Sequence, residues 1–267
     1  MQSVKAVKEL MPAFFISHSG PQLLVEQGPY IEYLKEFSKT IKKPKAIVIF
    51  SAHWEEPIQT ISLVERNTTY HDFSGFPKEF HKVTYTPPGS ASLSKEISEL
   101  FNKNGIKNTF NTKRGLDHCV YTVLKLMYPK EDIPVVSLSI NPDLDPQEIY
   151  KIGAALTPLR EKGVLILGSG VILHNFDLID WRAGPDAPPA KWAKEFAEWV
   201  GKQLDEWNTS ELSKYDQTKH RKDAAPTPDH FVPLIYAMGA GSDVKKANLI
   251  QLHYLYKTGC YAVWKFD

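Results

Sequence analysis

The chain has 267 residues, with 32 Lys and Arg against 31 Asp and Glu, a net charge of +1 and two cysteines. That balance removes the electrostatic case for nucleic acid or an anionic membrane as a partner. Two isolated cysteines, Cys119 and Cys260, make neither a disulfide framework nor a finger-type zinc site, and a chain this long can bury a core without either. A reducing compartment, and hence the cytoplasm, is expected, for a monomer or small homo-oligomer.

Residues Met1–Leu10 carry lysines with no apolar run long enough for a signal peptide after them, and read as an N-terminal extension. Ala13 to Ile16 is the first short apolar run, and reads as a buried strand. Tyr30 to Ile41 is amphipathic and reads as a helix. Ala46 to Phe50 is a second strand. Tyr70 to Gly89 contains Gly75, Pro77, Pro87, Pro88 and Gly89, and reads as a loop that can cover a site. Ser90 to Asn104 reads as a helix, Ile133 to Leu138 as a strand and Pro146 to Arg160 as a helix. Val164 to Leu167 is a fourth buried strand. Asp180 to Pro189 is a second Pro/Gly-rich loop, followed by a helix from Pro189 to Trp207. Leu249 to Tyr256 and Cys260 to Phe266 alternate around Lys257-Thr258-Gly259, the pattern of an antiparallel hairpin at a sheet edge. The alternation predicts one α/β domain over residues 11–267. Its sheet is mixed but largely parallel, flanked by helices, with the active site at the C-terminal ends of the strands.

The histidines carry the chemistry. His18, His53 and His174 each come just past a predicted strand, at the edge where open α/β sheets bind ligands. His118, in Leu116-Asp117-His118, and His230, in Pro228-Asp229-His230, lie in helix-start contexts. A single histidine after a strand is ordinary. Three after three different strands point to a metal site, because neutral imidazole is the commonest metal ligand. Nitrogen ligation alone leaves zinc, iron and nickel open. His220, in a charged stretch, reads as solvated. His253 reads as structural, and His71 and His81 as surface residues of the long loop. Gly168-Ser169-Gly170 lacks the third glycine of a dinucleotide fingerprint and the lysine of a P-loop, and no GxSxG elbow occurs.

Six segments in order carry a resemblance. They are Phe15-Ile16-Ser17-His18-Ser19, Ser51-Ala52-His53-Trp54-Glu55, Asp72-Phe73-Ser74-Gly75-Phe76-Pro77, Arg114-Gly115-Leu116-Asp117-His118, Gly168-Ser169-Gly170 through His174-Asn175, and Asp229-His230-Phe231-Val232-Pro233-Leu234. Through them the chain resembles the 4,5-DOPA extradiol dioxygenase family, a branch of the class III ring-cleaving dioxygenases. The resemblance implies His18, His53 and His230 as metal ligands, and His174 as a catalytic base or a further ligand. It implies His118 as a catalytic residue of the substrate pocket. It also implies Fe(II) as the active metal, with Zn(II) acceptable to an all-histidine site, and a catechol and O2 as substrates. The wider class holds iron with two histidines and a carboxylate; here the third position is His230, and Glu55 is the carboxylate candidate. Asp117 is expected to cap the helix that follows it. Cys119 departs from the family pattern, which has glycine there, and is expected to alter a pocket wall. A zinc hydrolase on the same histidines and a non-catalytic binding relative are the rival readings.

Overall fold

The computed structural model describes residues 10–267, so most of the N-terminal extension, Met1–Leu10, lies outside the described residues. In chain order the strands are β1 (Ala13–Ser17), β2 (Ala46–Glu55), β3 (Gln59–Ser62), β4 (Asn108–Asn111), β5 (Val135–Ile140), β6 (Val164–Gly170), β7 (Ala247–Leu255) and β8 (Gly259–Phe266). The helices are α1 (Pro29–Thr40), α2 (Ala91–Lys103), α3 (His118–Met127), α4 (Pro146–Ala154), α5 (Thr157–Arg160), α6 (Lys191–Asp205), α7 (Thr209–Leu212), α8 (Arg221–Ala224) and α9 (Val232–Ala240). All eight strands form one sheet in the order β4-β3-β5-β2-β6-β1-β8-β7. The central β5, β2, β6 and β1 are mutually parallel, while β8 runs antiparallel to β1, and β3 antiparallel to β5.

The sheet separates two cores, as alternation along a doubly covered strand requires. Phe15, Val48, Phe50 and Ile166 face one core with α2, α4, α6 and α9. Phe14, Ile16, Ile47, Ile49, Leu165 and Leu167 face the other, with α1 and α3. Every residue of α9 is buried. A helix apolar all round belongs inside, and α9 lies against α4 and β6.

Two expectations change in detail, and two strands are added. β2 runs on past Phe50 to Glu55 through a register shift, so His53 sits within the strand's end rather than after it. The helix expected from Pro146 to Arg160 breaks into α4 and α5, and Pro158 falls in the first turn of the second. Proline cannot donate to the preceding turn, so it opens a helix more readily than it continues one. The two short strands β3 and β4 carry no long apolar run. The C-terminal hairpin forms as expected, with β7 at the sheet edge.

Candidate metal centre

The C-terminal ends of β1, β2 and β6 lie side by side, and the chemistry gathers there. His18 follows β1 directly and is 3% exposed. The Ser17 carbonyl accepts from the Tyr30 hydroxyl at 2.6 Å, and the Ser17 hydroxyl accepts from the Ala262 N–H at 2.9 Å. These two bonds tie the end of β1 to α1 and β8, so His18 leaves the strand in a fixed direction. His230 stands just before α9. Its carbonyl accepts from the Val171 N–H at 2.8 Å, which pins it to the end of β6. Gly170 makes that approach possible. A Cβ there would stand 2.3 Å from the His230 carbonyl oxygen, and one on Gly168 would stand 2.1 Å from that of Pro233. Gly168-Ser169-Gly170, the end of β6, therefore serves backbone packing rather than phosphate binding.

Each of three histidines has its Nδ1 committed. Ser169 Oγ gives its one proton to the Cys119 carbonyl at 2.7 Å, so it accepts from His18 Nδ1 at 3.1 Å. His53 Nδ1 donates to Asp72 Oδ2 at 2.6 Å, and His230 Nδ1 donates to Asp229. A neutral imidazole with its proton on Nδ1 keeps a lone pair on Nε2. His53 Nε2 and His230 Nε2 stand 3.1 Å apart, and His18 packs edge-on to His53. Two facing lone pairs at that distance repel unless a cation or a proton lies between them. A single ion bound at about 2.0–2.1 Å by two imidazoles at right angles separates their nitrogens by about 3 Å. The donor set therefore fits a metal ion. Together with Cys119, these histidines put their donor atoms within 4.8 Å of one another.

The electrostatics agree. Burial, helped by the neighbouring histidines His230, His53 and His118, holds His18 well below its ordinary value. Burial also lowers His230 against the pull of Asp229. Burial works to lower His53 too, but Cys119 and the Asp72 carboxylate outweigh it, so His53 is raised. A ligating histidine binds a metal in its neutral form, so metal and proton compete for this position.

Asp72 is the residue that sequence reading missed. Burial would raise its carboxyl, yet the bonds from His118 and His53 hold it far below the ordinary carboxylate range. Its Oδ1 accepts from both His118 Nδ1, at 2.9 Å, and the His118 backbone N–H, at 3.0 Å. One carboxylate thus orients His53, orients His118 and caps α3. Asp117, expected to be that cap, makes no side-chain cap bond. It is buried, accepting from Ser51 Oγ at 2.7 Å and Arg114 Nη2 at 3.0 Å. Arg114 also donates to the His53 carbonyl at 2.8 Å, with Trp54 and Tyr70 against its guanidinium. This group locks the end of β2 to the start of α3. Glu55 is exposed and belongs to none of the three close donor clusters among the described residues; the nearby carboxylates are Asp72 and Asp229.

His174 lies outside the His18 cluster. Its ring stacks on His230 with centroids 3.5 Å apart and planes 5° apart. Burial, then the neighbouring His230, push it down to about 3. Cys119 stands beside the histidine cluster. It is fully buried, with Sγ 3.1 Å from His18 Nε2. His220 is not free in solvent, since its Nε2 meets Glu195 at 2.7 Å. His81 is exposed as expected, while His71 is half-buried, with Nε2 2.8 Å from the Val83 carbonyl. No helix among the described residues is long and apolar enough to cross a membrane.

The chain is similar to known proteins over most of its length. A 4,5-DOPA dioxygenase extradiol of Beta vulgaris is 40% identical over 261 residues, covering 94% of this chain and 93% of its own. The protein of the same name from Escherichia coli K12 is 34% identical over 234 residues, covering 86% and 85%. A crystal structure of an uncharacterised Escherichia coli K12 protein superposes with a TM-score of 0.82 at 28% identity, covering 96% of this chain and all of the other. The family model described as the catalytic LigB subunit of aromatic ring-opening dioxygenase matches residues 12–263, and the chain belongs to that family.

Proposed function

We propose that this enzyme opens the ring of a catechol, of the DOPA type, with O2 in the extradiol manner, at a centre held by His18, His53 and His230. The observation that carries the proposal is the convergence of Nε2 lone pairs, with each Nδ1 committed to Ser169, Asp72 or Asp229. Such outer partners fix the tautomer of a ligating histidine. The relatives named as 4,5-DOPA extradiol dioxygenases supply the reaction class and the substrate class. Residues 11–267 form the catalytic domain.

LigB-type dioxygenases depend on a metal, and Fe(II) is the ion we assign: when bound, it orders the catechol and O2 and couples their electrons. The remaining work falls to the chain. His174 stands parallel to the His230 ring, and parallel rings 3.5 Å apart do not direct their nitrogens at one ion. That favours a base over a ligand. A neutral His174 accepts the proton of a catechol hydroxyl, which makes the ring electron-rich enough to react with O2. His118, held through Nδ1 by Asp72, keeps Nε2 for a second proton and returns it as the ring opens. The Asp72 carboxylate stabilises the charged ring while that proton is held. Phe73 and Phe176 stand edge-on to His118 and His174, and offer apolar faces to an aromatic substrate.

The test is oxygen uptake by anaerobically Fe(II)-reconstituted protein against a panel of catechols including DOPA, with the visible spectrum followed. Uptake with a yellow ring-opened product is expected. Iron-loaded protein that consumes no oxygen with any catechol overturns the proposal.

A further inference from the structure

We propose that Cys119 is a fourth protein donor to the metal centre, which then offers three imidazole nitrogens and one thiolate sulfur. The inference rests on the metal-centre reading above and goes beyond it. Cys119 is fully buried in the first turn of α3, and Sγ lies 3.1 Å from His18 Nε2 and 3.3 Å from His18 Nδ1. Its sulfur and the ring nitrogens of His18, His53 and His230 are all within 4.8 Å of one another. A cysteine that merely filled space would turn its sulfur to an apolar neighbour. This one faces nitrogens whose lone pairs converge.

The backbone holds the sulfur in place. Ser169 Oγ donates to the Cys119 carbonyl and accepts from His18 Nδ1, so one hydroxyl registers both donors against β6. One residue earlier, the His118 N–H is fixed by Asp72. Cys119 and His18 are therefore positioned by the same serine, and Cys119 and His53 by the two sides of the same aspartate loop. Ligation needs no change in this scaffold. The S–H bond breaks, its proton passes to solvent, and the sulfur lone pair forms the new bond to the ion; nothing is oxidised or reduced. A thiolate makes the site softer than a nitrogen-only one and tilts it towards zinc, cobalt and Fe(II) over manganese.

Anaerobic titration of the metal-free full-length protein with Co(II) tests this without turnover. Visible d–d bands report whether cobalt is bound, and a near-ultraviolet sulfur-to-cobalt charge-transfer band reports whether sulfur is a ligand. We expect both in the wild type and in Cys260→Ala. In Cys119→Ala and Cys119→Ser we expect the d–d bands without the charge-transfer band. The Zn(II) Kd of both Cys119 variants should rise by about 10-fold or more. Wild-type protein with d–d bands but no charge-transfer band overturns Cys119 ligation and leaves the histidine centre standing. A charge-transfer band that survives in Cys119→Ala overturns it as well. Absence of any cobalt band overturns the metal centre itself, and the sulfur ligand with it.

Discussion

Asp72→Asn is the most informative substitution, because it changes one charge and almost no volume. The wild-type carboxylate accepts from His53 Nδ1 with one oxygen and from the His118 ring and backbone with the other. An asparagine offers one oxygen and one NH2. If its oxygen stays with His118, its NH2 meets His53 Nδ1–H, donor against donor. His53 escapes by moving its proton to Nε2, and that removes the lone pair a metal needs. If the amide is reversed, His118 meets the donor instead, and α3 loses its cap. Loss of an outer partner of a ligating histidine costs about 10–100-fold in metal affinity, or about 1.4–2.7 kcal/mol. Zn(II) affinity measured by competition with a chromophoric chelator should fall by that factor. Turnover at saturating Fe(II) should fall as well, because His118 loses its orienting charge in the same stroke. Asp72→Asn protein with metal affinity within about twofold of wild type and undiminished turnover would refute the argument.

Three further outcomes follow from the geometry. His18→Ala and His53→Ala should lose the metal, whereas His174→Ala and His118→Ala should keep it and lose turnover; metal analysis beside oxygen uptake separates the classes, and full occupancy in the first pair removes them as ligands. His174 is held low in the fold, so the unfolded chain takes up a proton near its ordinary value of about 6.5 while the folded one does not. Its contribution is therefore lost as pH falls below that value, by up to about 1.4 kcal/mol per pH unit. Urea melts of metal-free protein from about pH 7 to about pH 5 should show a shallower pH slope for His174→Phe, which keeps the ring stack and cannot titrate; equal slopes contradict the assignment. Gly170→Ala places a Cβ where the His230 carbonyl now sits, and should cost about 1–3 kcal/mol in a denaturant melt while weakening metal binding. Unchanged stability would show that the approach is not tight.

What could be read before the fold was known follows from the range of each signal. β1, β5 and β6 announce themselves as apolar runs, because strands covered on both faces must be apolar throughout. β3 and β4 do not, since Gln59–Ser62 and Asn108–Asn111 are short and largely polar. The positions of His18, His53 and His230 were legible from their places next to predicted elements. Asp72 was not. It opens one of the segments that carry the resemblance, but nothing on the chain assigns it a role: it is 19 residues from His53 in sequence, yet 2.6 Å from it in space. The signal was present in part: a ligating histidine asks for a carboxylate or hydroxyl at its other nitrogen. That rule calls for such partners without saying which residues provide them. Asp117 misled for a related reason. Its place before α3 fits a cap, but Ser51, 66 residues away in sequence, and Arg114, three residues before it, claim its oxygens.

The place of β1 bears on the order in which the molecule is made. The strand that delivers His18 leaves the ribosome early, yet both of its neighbours, β6 and β8, are translated late. Until those arrive, β1 has two open edges and Ser169 is not there to hold the His18 ring. The nascent chain therefore carries an aggregation-prone apolar strand with nothing to pair it, and no pocket for an ion. The His18 ring can be held for an ion only once β6 has paired with β1, so the ligand set is a product of the assembled sheet and not of any one segment.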